Sequence, residues 1–147
     1  MFKRSFSVAL MLLLGCASSM INLQNKSIDQ SSGSKLIIIR PEMKLGSMTA
    51  IPILLNNELL AKIKIKSYLE VNCKTGQYDI QIGEGDPIKT LLLPMKADIN
   101  IEEGKSTYII LKDGMVEKDG NSYMAMTPTI ISEEEGKQEI TKAILIK

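Results

Sequence analysis

Two cysteines, seventeen side-chain carboxylates and no histidine bound the chemistry open to this chain of 147 residues. Without histidine, the usual Ser/His and Cys/His nucleophile pairs and His-based metal sites are excluded. Carboxylate and thiol chemistry remain. Glu102 and Glu103 are adjacent acids, but acid/base work needs two groups placed about a substrate, and these border a turn at Gly104 where solvated charge is the ordinary state. Asp113, Glu117, Asp119 and Asn121 are oxygen donors in one polar stretch. They lack the alternate-position ligands, central Gly and terminal Glu of a calcium loop, so residues 113–121 are expected to be a plain hairpin connection with no metal. Gly83-Glu84-Gly85 lacks the third Gly, the following helix and the later acid of a dinucleotide site, and reads as a turn. Cys73 falls in step with Leu69 and Val71 on one face of a candidate strand, where a thiol is a small buried apolar group. The expectation is no catalytic set and no cofactor; a carboxylate hydrolase is the catalytic alternative, and it would need two acids converging in a cleft.

The other cysteine has a different context. Lys3 and Arg4 precede an apolar run over residues 6–14 that ends in small residues, the pattern of a secretory signal peptide. Nine helical residues reach roughly 14 Å, against about 30 Å of hydrocarbon core, so the run is too short to span a membrane. Leu13-Leu14-Gly15-Cys16 resembles the lipobox of bacterial lipoproteins. The resemblance implies cleavage before Cys16 and acylation of its amino group and sulfur, with each buried CH₂ contributing about 0.8 kcal/mol to anchoring. It divides the chain into a signal peptide (1–15), a lipidated Cys and flexible tether (16–34) and a folded domain (35–147). It also implies a membrane as first partner. Ala17 and Ser18 are not the acids that retain such proteins at the inner membrane under the familiar sorting rule, which points to the outer membrane.

Removing residues 1–15 leaves 132, enough for one domain with a limited core. The remaining 16 basic and 17 acidic side chains give no electrostatic case for nucleic acid. Both Phe residues lie in the signal and there is no Trp, so the four tyrosines, Tyr68, Tyr78, Tyr108 and Tyr123, are the only aromatics of the domain.

Positioning any site falls to short strands. Residues 17–35 are rich in Ser, Asn, Gln and Gly without a period of 2 or 3.6, and as a tether they span about 25 Å when flexible. Residues 35–40 read as a strand buried on both faces, closed by Pro41. Residues 49–55 form a second apolar run in which Pro52 cannot donate a ladder bond, which argues for an edge strand or a bulge; Thr49, Ile51, Pro52 and Ile53 are the expected open edge where a partner strand docks. Asn56-Asn57 suits a tight turn into residues 59–66, where Ala61, Ile63 and Ile65 alternate with three lysines. Further strands are expected over 67–73, 77–82, 88–93, 97–101, 107–112 and 123–131. The spacing predicts an all-β fold, an antiparallel β-sandwich of about seven or eight strands, with Ile37, Ile39, Ile63, Ile65, Leu69, Val71, Ile80, Ile82, Ile99, Ile101 and Ile109 inward. Ser132 followed by Glu135 has capping-box spacing and predicts one short helix there, weakened by Gly136; residues 143–146 either extend it or return to the sheet.

The strand ending Ile39-Arg40-Pro41, the turn in Leu55-Asn56-Asn57-Glu58-Leu59, Ser67-Tyr68-Leu69 before Gly76, Glu102-Glu103-Gly104-Lys105 with Thr107-Tyr108, and the Ser132 to Gly136 stretch together resemble an uncharacterised bacterial lipoprotein β-domain, distantly similar to the PEGA type of surface repeat. That resemblance implies a membrane-anchored envelope lipoprotein whose sandwich is a structural module or binds another envelope protein. A surface-exposed adhesin or antigen is the alternative, separated from it by protease shaving of whole cells.

Overall fold

The computed structural model describes residues 33–43, 49–85 and 92–146. Among these the chain forms ten strands and one helix: β1 (Lys35–Arg40), β2 (Ile51–Leu55), β3 (Glu58–Ile63), β4 (Ser67–Asn72), β5 (Gly76–Ile82), β6 (Leu92–Leu93), β7 (Met95–Ile101), β8 (Ser106–Lys118), β9 (Asn121–Ile131), α1 (Glu133–Ile140) and β10 (Ile144–Ile146). They make an all-β sandwich of two sheets, one in the order β10-β4-β1-β8-β9-β6 and one in the order β3-β2-β5-β7. Ten strands exceed the expected seven or eight; β6 falls within the run read as a strand over 88–93, and β10, three residues long, is the return to the sheet left open for residues 143–146.

β1 lies inside the larger sheet, antiparallel to β4 and parallel to β8. Its unbroken apolar run is explained by what covers each face. Leu36 and Ile38 enter the core between the sheets, while Ile37 and Ile39 face the other way and pack with Tyr108, Tyr68 and Ile140 beneath α1. Ile37 and Ile39 are therefore buried as expected, but in a second, smaller core. The inter-sheet core takes Ile63, Leu69, Ile80, Ile82, Ile99, Ile101 and Ile109, with Ile65 and Val71 partly buried against it. Each fully buried aliphatic side chain contributes about 1.5–3 kcal/mol, so this aliphatic core, with Tyr78 as its aromatic, suffices to hold the sheets together.

Turn chemistry sets the connections. Asn56 and Asn57 both have positive φ (51° and 65°), the left-handed pair that a two-residue hairpin needs, and Asn56 also exchanges hydrogen bonds with Asp79 of β5 through its backbone N–H and its Oδ1. Asp119 and Gly120 repeat the device (φ 53° and 75°) between β8 and β9. The expected loop over residues 113–121 is consequently strand on both sides of a two-residue turn. Successive strands change sheets six times, among them after Ile63, through residues 64–66 with Lys66 at φ 55°, and at Pro94 between β6 and β7. β3 thus ends at Ile63 rather than running to residue 66.

Ser132 caps α1, its side chain accepting from the Glu135 N–H at 3.2 Å, and Glu133, Glu134 and Glu135 occupy the first turn where the helix dipole favours them. After α1 the chain returns to the sheet as β10, parallel to β4. Ser34, inside the stretch read as tether, belongs to the fold: it is buried, its carbonyl accepts from Cys73 N–H at 3.0 Å, and its hydroxyl accepts from Gly104 N–H at 3.0 Å. Among the described residues no helix is long and apolar enough to cross a membrane.

Candidate functional site

Strand registers give the sandwich two ends. The chain enters at the end formed by Ser34, the β4–β5 turn and the turn after β7, since Lys35 is level with Asn72 and Ser106, and Gly76 with Ile101. At the opposite end lie Arg40, Thr49, Pro52 and Leu92. β8 and β9 go further still: β1 accompanies β8 only as far as Ile110, and eight more residues of β8 follow, about 26 Å at the usual rise. The β8–β9 hairpin therefore projects away from the end at which the chain enters.

At its base lies a cleft of about 240 Å³ between the ends of the two sheets, lined by Thr49, Ala50, Ile51 and Pro52 from one sheet and Leu92 and Met124 from the other, with Lys62 and Glu84 exposed at its rim. Met115, 58% exposed, lies directly across from Met124 on the same face of the hairpin and continues the apolar surface outward. Methionine suits such a surface because its unbranched thioether repacks around different shapes.

Thr49, Ile51, Pro52 and Ile53 are not on an edge. β2 is paired with β3 on one side and β5 on the other, and Ile51 and Ile53 are fully buried. Pro52 is tolerated because it sits where the β2–β5 ladder ends. Its carbonyl accepts from Gly83 N–H at 2.9 Å, and the Gly83 carbonyl, which residue 52 has no N–H to serve, accepts from the Gln81 side-chain amide at 2.9 Å instead. A register shift between Ile53 and Leu54 adds a bulge on the β3 side. The proline marks a ladder terminus rather than an open edge, and what survives of the expected site is Thr49, Ile51 and Pro52 as cleft wall. Leu13, Leu14, Gly15 and Cys16 lie outside the described residues.

Most of the acids lie apart; one pair, Asp79 and Asp98, meets in a shallow depression it shares with Gln77, Tyr78, Ile99 and Asn100. Glu102 is ion-paired with Lys105 in an exposed turn, and Asp113 and Glu117 lie along β8. On the solvent face of the smaller sheet Asp79 stands directly opposite Asp98, a like-charge pair relieved by Lys96, whose Nζ is 3.1 Å from Asp79. A second depression, between Pro41, Glu42, Lys66, Glu139, Lys142 and Ala143, is closed over by the Lys66–Glu42 and Lys142–Glu139 ion pairs (2.9 and 2.8 Å), exposed contacts of the kind worth about 0–1 kcal/mol each.

One functional-looking group that sequence reading passed over is Arg40. It is wholly buried, and its Nη1 donates to the Thr49 carbonyl at 2.6 Å and the Ile63 carbonyl at 2.8 Å, tying the end of β1 to the segment before β2 and to the end of β3. Burial pulls its pKa below the ordinary arginine value, and the charge persists because that value is so high. The available signal was a charged residue directly continuing a fully apolar strand.

Cys73 is fully buried, as its strand register suggested, and burial pushes its thiol from 9.0 up to about 11. The folded state holds the proton that an unfolded chain gives up near pH 9, so stability is unaffected below pH 9 and falls as pH rises toward 11, by on the order of 2 kcal/mol. Burial, and then the neighbouring Cys73, raise the Tyr78 phenol above its ordinary value as well. The difference between the chain and its Cys73→Ala variant in alkaline urea titrations isolates the thiol; equal pH dependence in both contradicts this account. Folded protein at pH 7.5 should likewise resist thiol reagents that label the urea-unfolded chain rapidly.

Comparison with family models, curated proteins and solved structures gives no match for this chain.

Proposed function

We propose that this chain is a lipid-anchored lipoprotein of the bacterial cell envelope, PEGA-like in its domain, whose sandwich binds another envelope protein through the end opposite the anchor. The observation that carries this reading is the Leu13-Leu14-Gly15-Cys16 stretch behind a short basic and apolar leader. The direction of the domain supports it. A chain tied down at Cys16 reaches the sandwich at Ser34, and the cleft at Thr49, Pro52, Leu92 and Met124, with the projecting hairpin, lies at the other end. Ala17 and Ser18 favour the outer membrane in species that follow the acidic sorting rule.

Cys16→Ala tests the anchor. The variant is expected to leave the membrane fraction almost completely, because acyl chains carry nearly all the membrane affinity, while circular dichroism and urea unfolding of the domain stay unchanged, since the described core is built from Leu36 onward. Membrane association undiminished by the substitution overturns the reading.

A further inference from the structure

We propose that Met115, Met124 and Met126, with the Asp113 carboxylate, form a binding site for a soft monovalent cation of the copper(I) and silver(I) class, on the face of the β8–β9 hairpin that meets the cleft.

The strand register places the four together. Met115 lies directly across from Met124 and Asp113 directly across from Met126, with no shift between the two rungs. Residues two apart on a strand share a face, so all four side chains leave the hairpin on the side of the inter-sheet core. Opposed Cβ atoms stand about 4.5–5.5 Å apart and successive rungs on one face roughly 6.6 Å, which puts the centre of the quartet roughly 4 Å from each Cβ. A methionine Sδ lies two bonds beyond its Cβ, on an unbranched chain of rotatable bonds. The three sulfurs can therefore turn toward one point while the backbone stays where it is.

Burial is graded across the quartet. Met126 is fully buried in the core, Met124 is half-buried on the cleft wall beside Leu92, and Met115 is 58% exposed. Apolar groups wall the inner side and water reaches the outer side, so an ion has a path in and a dry side to settle against.

The donor types select the ion. Thioether sulfur is a soft, uncharged donor that suits copper(I), whereas magnesium and calcium require carboxylate, carbonyl and water oxygen. Among the described residues no group of three carboxylates or thiols is placed to hold a metal, so a hard divalent ion finds no comparable set. One carboxylate beside three neutral sulfurs balances a single positive charge, and a charge carried into a partly buried site needs that balance. The same hairpin that lacks the spacing of a calcium loop thus has the donors of a different metal class.

The test uses the full chain with Cys16→Ala and Cys73→Ala, held in detergent micelles so that no thiol competes, and silver nitrate in chloride-free buffer as the probe. Calorimetry is expected to show one saturable equivalent that a large excess of calcium does not displace, and the isotope-labelled methyl resonances of Met115, Met124 and Met126 are expected to move. Met115→Leu with Met124→Leu keeps size and apolarity, and should weaken silver binding at least about tenfold at unchanged circular dichroism. Asp113→Asn, which removes the charge but keeps an oxygen donor, should weaken it by a smaller factor. If the double variant loses its fold, Met115→Leu alone, at the exposed position, supplies the comparison. No saturable binding, displacement by calcium, unchanged affinity in the methionine variants, or shifts spread alike over all nine methionine methyls overturns the proposal. None of these measurements involves the membrane or a partner protein, so their outcome is separate from that of the Cys16 anchor.

Discussion

Arg40→Met lowers the unfolding free energy by about 3 kcal/mol, read from the midpoint of urea denaturation at an unchanged slope. Two effects compete. Replacing a buried charge by an apolar group of similar length relieves a desolvation cost, and buried ion pairs exchanged wholesale for apolar residues are often neutral. Here the partners are backbone carbonyls that no substitution removes. The Thr49 and Ile63 carbonyls each accept from Nη1, and losing both donors costs roughly 1.5–3 kcal/mol per charged hydrogen bond, which outweighs the relief. Arg40→Lys retains the charge but offers one donor nitrogen on a shorter stem, and an intermediate loss is expected. A change below about 1 kcal/mol in Arg40→Met would show that the brace between the sheets is dispensable.

Gly136→Ala is expected to destabilise the domain by about 2–4 kcal/mol, although in an isolated helix the same change is favourable by about 1 kcal/mol. A Cβ at position 136 would fall inside van der Waals contact with the Tyr108 ring and 2.9 Å from the Tyr108 Cβ, leaving no room even for a methyl group. Tyr108 cannot yield, because it is buried among Ile37 and Ile39 on the outer face of the sheet. α1 must lift instead, uncovering the second core. Truncating the ring separates steric conflict from any other cause: the double variant Tyr108→Ala, Gly136→Ala should be less damaged than the sum of the singles by at least about 1 kcal/mol. Additive losses would mean the two residues do not interfere.

The same residues show where sequence reasoning reached and where it stopped. Gly136 read as a weak point in a helix because propensity is local; its purpose, admitting α1 to the Tyr108 ring, depends on a strand nearly thirty residues earlier. Ser132 and Asn56-Asn57 were legible because a cap and a tight turn are decided within four residues. Asp119-Gly120 carries the same kind of hairpin signal, but the charges around it masked the strands on either side, because solvent-facing positions in a projecting hairpin need not be apolar. Pro52 was misplaced for a different reason. A missing N–H excludes a central ladder position only if the ladder continues there, and here it stops at Gly83. Of the candidate site, Thr49, Ile51 and Pro52 were identified through this mistaken edge argument and Lys62 faces Pro52 across the β2–β3 hairpin, whereas Leu92 and Met124 come from remote parts of the chain and join them only through the packing of the sheets. Arg40 was hidden because nothing local says which carbonyls a buried guanidinium will meet.

The parallel pairing of β1 with β8 also governs the order in which the molecule can assemble. β1 is the first of the described strands to emerge during synthesis, but its parallel neighbour β8 begins at Ser106, 71 residues later by the Lys35–Ser106 register. At about 5–20 residues per second that interval is roughly 4–14 s, and closing so long a loop is slow even once the chain is complete. Until then Leu36, Ile37, Ile38 and Ile39 form an uncovered apolar segment of high strand propensity, the kind that associates with other nascent chains. Pairing with β4 covers one edge of it early and leaves its other edge open. The residues that hold the finished domain together are thus its main hazard while it is being made, and a holding factor in the cell has most reason to bind this chain at β1, before β8 arrives.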